Sequence, residues 1–370
     1  MDSLLFLAFQ AGDIKGHRAL LERQRIKGRR GIKHWLDHVE LLARMGDAGG
    51  IDDILDGLPL DREDPEDVEN VARRLMRLGL GRPVLRLVAR RQRSEQSLGN
   101  LAALGGFASL AVEDWERCNS LAIEIQKLTT MTDSLTPISH FLRGCAALGL
   151  GNEVAASASF DRITVETCKD PSGLLRSLSE GMRLDVGSMK PPCFRQAWLV
   201  ARDLEGVLGD DGAYWRIRSE LAGYASQVSD MLFAARTAMQ IDPGSSVSVA
   251  TTVRALLLAP DAMPEILPLS ANLVKETPVR AEWRILRARA LVSGDRLAEG
   301  KAMLQTIKAS AIPTPLLTSL DVAWLEAHVA SQDWEAARKT LAGIRSPRWE
   351  PLLQAKVDRL AAKIPKIPKI

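Results

Sequence analysis

His34 and His38 stand four residues apart, a spacing that on a helix puts both rings on one face where they could share a metal ion beside Asp37. A stable metal centre needs further ligands at compatible spacing. None stands in that stretch, so the pair reads as solvated or rim histidines. His17, His140 and His328 are scattered singly. Cys118, Cys145, Cys168 and Cys193 are spread with no CxxC pair, which fits neither a zinc site nor a disulfide framework. They read as reduced, mostly buried thiols. The sequence has no GxSxG elbow, no glycine-rich phosphate loop with its lysine, no HExxH and no GxGxxG after a strand. No catalytic, cofactor or metal residue is assigned, and an enzyme is not expected.

Charge is the other feature that could do chemistry. A basic block from Lys15 to Lys33 precedes an acidic one from Asp52 to Glu69, and the sign flips again from Arg73 to Arg93. Arg86, Arg90 and Arg93 share a helical face by their spacing. Such a ridge could hold phosphate, nucleic acid or an acidic peptide. Equally, alternating blocks could neutralise one another across neighbouring elements. Single-strand nucleic-acid binders place aromatic platforms beside the charge, and Trp35 is the single aromatic between Ile14 and Arg93. Nucleic acid is therefore the weaker reading, and a net charge of +3 is too small to demand a polyanion.

The elements that position these residues are read from punctuation. Turn-forming residues recur near 12, 46, 79, 113, 151, 187, 226, 259, 294 and 332, always between two helix-length stretches and 33 to 39 residues apart. A stable period of this size marks stacked supersecondary units, none able to bury its apolar face alone. The 370 residues are 46% hydrophobic and 26% charged, with 5% aromatic, which suits a packed helical chain. Within Leu142 to Ile163, Gly144, Ala147 and Gly151 should let two helices approach, with Leu142, Leu148, Phe160 and Ile163 filling the space between them. Gly151-Asn152 should end the first helix, and Ala155 and Ala156 open the second.

These hairpins resemble the tetratricopeptide repeat family. Gly144, Gly151, Ala156 and Phe160 match its small-residue, turn, alanine and aromatic positions; Gly106, Trp115 and Cys118 take the same places one copy earlier. Ala234 to Pro243 looks like a second helix ending in the family's closing proline. The resemblance runs from about Leu4 to Ile344. Most copies lack the early tryptophan of the first helix, many lack the closing proline, and the period drifts, so the repeats are divergent. The resemblance implies an all-α, right-handed α-solenoid of about ten antiparallel hairpins, over residues 1–345. A capping helix at 346–363, apolar along Leu352, Leu353, Val357 and Leu360 with Lys356 off that stripe, should seal it. A loose cationic tail at 364–370 should follow.

The resemblance also implies that partners bind the concave surface lined by the first helix of each hairpin. Its inward positions fall on Lys33, Glu40 and Arg44, on Glu69, Arg73 and Arg77, on Asn100, Phe107 and Phe141, and on Arg216, Glu220, Tyr224 and Arg284. A charged end and an apolar middle would suit an amphipathic or extended protein segment. Phe107 and Phe141 could instead pack helix on helix. The paired Lys/Asn arrangement by which some members clamp a terminal carboxylate is absent, so that ligand is not carried over. No stretch approaches the length of a membrane span. The first helix is short, as in a chain that starts inside a repeat, and an upstream signal or anchor would lie outside it. The expectation is a cytoplasmic, non-catalytic interaction scaffold or adaptor. The alternatives are a nucleic-acid-binding solenoid using the arginine-rich face and the repeat part of a larger membrane or envelope assembly.

Overall fold

The computed structural model describes residues 16–20, 23, 38–39, 42–43, 47–57, 64–91, 98–128, 135–166, 168–182, 191–259, 264–276, 280–307, 314–344 and 351–365. Among them every regular element is a helix. They divide into two compact units, Met1–Cys193 and Phe194–Ile370. The first contains α1 (Ala48–Gly57), α2 (Pro65–Arg77), α3 (Gly81–Arg91), α4 (Leu98–Ala111), α5 (Trp115–Leu128), α6 (Thr136–Gly149), α7 (Glu153–Phe160) and α8 (Pro171–Met182). The division falls inside α9 (Pro191–Asp203). The second unit continues with α10 (Glu205–Leu208), α11 (Gly212–Tyr224), α12 (Val228–Ile241), α13 (Ser246–Leu258), α14 (Ile266–Glu276), α15 (Ala281–Ser293), α16 (Leu297–Gln305), α17 (Thr314–Ala330), α18 (Trp334–Gly343) and α19 (Pro351–Lys363).

One turn device builds the hairpins. At Gly79, Glu113, Gly151, Ser226, Asp295 and Gln332 the backbone is left-handed, with φ between 57° and 77°. The next residue in each case, from Leu80 through Asp114, Asn152, Gln227 and Arg296 to Asp333, donates its N–H to the carbonyl five residues back at 2.8–3.0 Å. This closes the first helix and satisfies a carbonyl that its end would otherwise strand. Asp114, Asn152 and Asp333 then accept from the N–H of Arg117, Ala155 and Ala336 and so cap the second helix. Four of the left-handed positions carry side chains, each at a cost of about 1 kcal/mol that helix packing offsets. The position near 259 falls between the end of α13 and the start of α14, with 260–263 outside the described residues, as are the turns expected near 12, 46 and 187.

Small residues set the helix spacing as the sequence suggests. A Cβ on Gly144 would run into the Phe160 ring, and one on Gly106 into Leu142. Ala156 and Phe141 are buried. In the first unit α2, α4 and α6 are the first helices of successive hairpins and lie side by side; in the second unit α11, α13, α15 and α17 do the same. Consecutive hairpins therefore stack in a row within each unit, as helical repeats do.

Candidate functional site

The rows of first helices are where the sequence places partner contacts, and in both units a later helix of the same chain lies against the row. In the first unit α8 packs on α4 and α6. Gly181 of α8 sits so close to Phe107 that a Cβ there would enter the ring. Phe107, Phe141 and Phe160 follow one another with centroids 6.2 and 6.1 Å apart. Phe107 and Phe141 are both buried, so they pack helix on helix beneath α8.

At the edge of that aromatic row Arg73 of α2 donates to Glu69 at 3.1 and 2.8 Å and also pairs with Glu180 of α8. Asn100 Nδ2 reaches Glu69 at 3.4 Å. The structure thus brings Glu69, Arg73 and Asn100 together, with α8 closing over them. Lys33, Glu40, Arg44 and the side chain of Arg77 lie outside the described residues. Two arginines of the expected ridge are also taken up: Arg86 pairs with Asp52 and Asp56 of α1 at 3.3 Å, and Arg90 donates to the Leu55 carbonyl. Arg86 thus pairs with acids of the neighbouring helix, and Arg93 lies outside the described residues.

In the second unit Arg216 donates to Ser248 at 3.1 Å and lies 3.7 Å from Asp242, tying α11 to the start of α13. Tyr224 donates to Glu220 at 3.2 Å and stacks on Phe194. Arg284 bonds instead to Thr306 at the end of α16. The stripe of α15 that faces a cleft between the first helices is Glu282, Ile285, Leu286 and Arg289. With Arg254, Leu258, Leu316, Ser319 and Leu353 it forms the wall of that cleft.

The helix that partly fills the face is α19, which touches α11, α13 and α17. A helix of 13 residues is about 20 Å long, while α11 and α17 stand three helix spacings apart along the row, about 30 Å if the row were straight. For one short helix to meet both, the row must curve around it. Leu353 and Val357 join Ala222, Ala255, Leu258, Val322, Leu325 and Val329 in one apolar cluster. The cation beside them, Lys356, donates to the Leu257 carbonyl at 2.6 Å and to Glu326 at 2.8 Å. Glu326 also accepts two bonds of 3.0 Å from Arg289. Arg289 and Glu326 are 3% and 5% exposed, so this is a buried ionic triad. Burial disfavours the Glu326 charge, but Arg289 and Lys356 outweigh it and hold the carboxyl below its ordinary range. Burial also lowers Lys356, which Glu326 only partly counters.

Sequence reasoning missed this triad. Arg289 and Glu326 are 37 residues apart, one repeat length, and occupy comparable places on adjacent first helices. That periodic match is the one signal that could have found them. A second buried cation, Arg218, was also missed: it is held by Asp230 at 2.7 and 3.1 Å, by Glu205 at 2.5 Å and by the face of Trp215. It fastens α11 to α12.

His38 departs from the solvated or rim position expected of it. It is buried and stacked on His17, with Nδ1 atoms 3.2 Å apart, and burial together with His17 and Arg18 lowers its pKa to about 4. All four cysteines are free and buried, and burial raises the pKa of Cys118, Cys145 and Cys168. No group of histidines, cysteines and carboxylates among the described residues has the geometry of a metal site. No described helix is long and apolar enough to cross a membrane.

No family model matches the chain, and no curated protein matches it. Among solved structures it is similar to the crystal structure of the APC/C hetero-tetramer Cut9–Hcn1, at 13% identity and a TM-score of 0.35. That alignment covers 85% of this chain and 66% of the other, just under two thirds of its length. It is also similar to the P58(IPK) TPR domain, at 12% identity and a TM-score of 0.22, over 95% of this chain and 98% of that one. Likenesses so distant carry no argument about partners. The hairpin order, the repeated left-handed turn and the glycine contacts are what make this an all-α protein of tetratricopeptide-like helical repeats.

Proposed function

We propose that the protein is a non-catalytic interaction scaffold whose curved rows of first helices receive helical segments of protein partners. The observation that carries this reading is α19. The face formed by α11, α13 and α17 accepts an amphipathic helix, burying Leu353 and Val357 and supplying carboxylate and carbonyl acceptors to its cation. Helix-in-groove recognition works by such apolar anchors at helical spacing with polar contacts fixing the register. The ionisable groups Glu326, Lys356 and Arg218 are all held in structural ion pairs, which suits a scaffold better than acid–base chemistry. Four free, buried thiols fit a reducing compartment.

The test is direct binding to a panel of fluorescent peptides, amphipathic-helical, extended and acidic, alongside short single-stranded RNA. Saturable binding of helical peptides that weakens when Leu286 or Leu316 is changed to Asp supports the reading. Binding confined to RNA, with an affinity that falls steeply with salt, would replace it.

A further inference from the structure

Resting on that scaffold reading, we infer that the surface beneath α19 is a docking site for a partner's amphipathic helix carrying the pattern apolar-x-x-cation-apolar, and that α19 is its built-in competitor. Four observations converge on this surface.

Attachment of α19 is slight. Leu353 and Val357 are its buried residues, while Leu352 and Leu360 are half-buried. By contrast α15 buries Trp283, Ile285, Leu286, Ala288, Arg289, Ala290, Leu291 and Val292 along its length. The socket also selects charge. Lys356 meets the Glu326 carboxylate and the Leu257 carbonyl, and Leu257 lies in the last turn of α13, where the helix dipole is negative. A cation flanked by apolar residues is what these acceptors recognise, and an acidic or neutral helix would leave the buried carboxylate with Arg289 alone.

Spacing supplies the third observation: Leu353, Lys356 and Val357 lie within one helical turn on one side of α19, so the face reads a helix and not an extended strand. Finally, the cleft extends past α19. Leu353 forms one wall, and beyond it stand Leu316, Ser319 and the Arg254–Glu282 pair at 2.8 Å. A longer partner helix seated in the same register would cover this extra surface, which α19 leaves open, and that gives the partner its advantage over the internal occupant.

The experiment uses the whole chain and a fluorescein-labelled peptide with the sequence of α19, Pro351 to Lys363. Leu353→Ala with Val357→Ala should loosen the internal helix, so the peptide is expected to bind this variant at least tenfold more tightly than it binds the parent. Adding Glu326→Gln, or replacing the peptide's lysine by glutamate, should abolish the gain. A variant that stays folded by circular dichroism yet binds the peptide no better than the parent overturns the inference. So does a variant that dimerises by exchanging α19, because a second copy would then be the occupant.

Should the double variant unfold, hydrogen exchange on the parent chain decides. Amides of α19 exchanging at least tenfold faster than those of α17 support a displaceable helix, and equally slow exchange overturns it. If this peptide fails while other helical peptides from the panel still bind, the scaffold reading stands and the docking assignment alone falls.

Discussion

Glu326→Ala is the sharpest perturbation the second unit offers. The substitution removes an acceptor that takes two hydrogen bonds of 3.0 Å from Arg289 and one of 2.8 Å from Lys356. Arg289 has 4% of its side chain exposed and cannot turn to solvent, so it is left as a buried cation without its carboxylate. Breaking a buried ion pair from one side costs about 3–5 kcal/mol. Lys356→Met leaves Glu326 with its two bonds from Arg289 and removes a cation that is 16% exposed, so it should cost only about 1 kcal/mol. The assay is urea denaturation followed by tryptophan fluorescence, a signal that Trp198, Trp215, Trp283, Trp324 and Trp334 give to the second unit. Replacing the triad together by Met at 289, Leu at 326 and Met at 356 should recover most of the loss, because apolar side chains of similar volume need no partner. If Glu326→Ala costs less than about 1 kcal/mol, the carboxylate is not held between two cations in a buried site.

Other outcomes follow from the first unit. Ala156→Glu puts a charge into the contact between α6 and α7, where Ala156 is 1% exposed, and should cost several kcal/mol or uncouple that hairpin in a thermal melt. Arg73→Glu would set three carboxylates together and release α8 from α2, so it should lower stability by roughly 1 kcal/mol or more, read by chemical denaturation. His38 has a folded pKa near 4, below its ordinary 6.5, so its neutral form belongs to the folded state. Stability should therefore be fully present above pH 6.5 and fall as the pH drops from 6.5 toward 4, with a slope of at most about 1.4 kcal/mol per pH unit for this one proton. His38→Leu should flatten that slope in a pH series of urea melts. A thiol reagent such as DTNB should leave the four cysteines of the folded protein unmodified over minutes and titrate all of them after denaturation.

Much of the hairpin was legible because local chemistry fixes it. Gly79 and Gly151 adopt the left-handed backbone that glycine allows, and Asp114, Asn152 and Asp333 cap the helices that follow. Glu113, Ser226, Asp295 and Gln332 adopt the same conformation without being glycine; Gly294 and the capping acids Asp114 and Asp333 mark three of these turns, and the period points to the one at Ser226. What was not legible depends on residues far apart in sequence. Arg73 looks like a charge facing a groove until Glu180, 107 residues later, is placed against it. Phe107 and Phe141 have the spacing of a ligand-facing stripe, but Gly181 of α8 covers the first of them. The apolar stripe of α19 was visible, yet nothing local tells which surface such a stripe covers. Lys356 lies beside that stripe and reads as solvated; only the tertiary position of Glu326 explains why a lysine is half-buried there.

The most direct measurement is the distance from α19 to the first hairpin of the second unit. Spin labels at Ser226, exposed at the end of α11, and at Asp358, exposed on α19, would report it by pulsed electron resonance. A row of first helices curved around α19 places these backbones under about 20 Å apart. A separation beyond about 30 Å, the span of three helix spacings, would mean that α19 stacks only on the last hairpin and that the row does not curve around it.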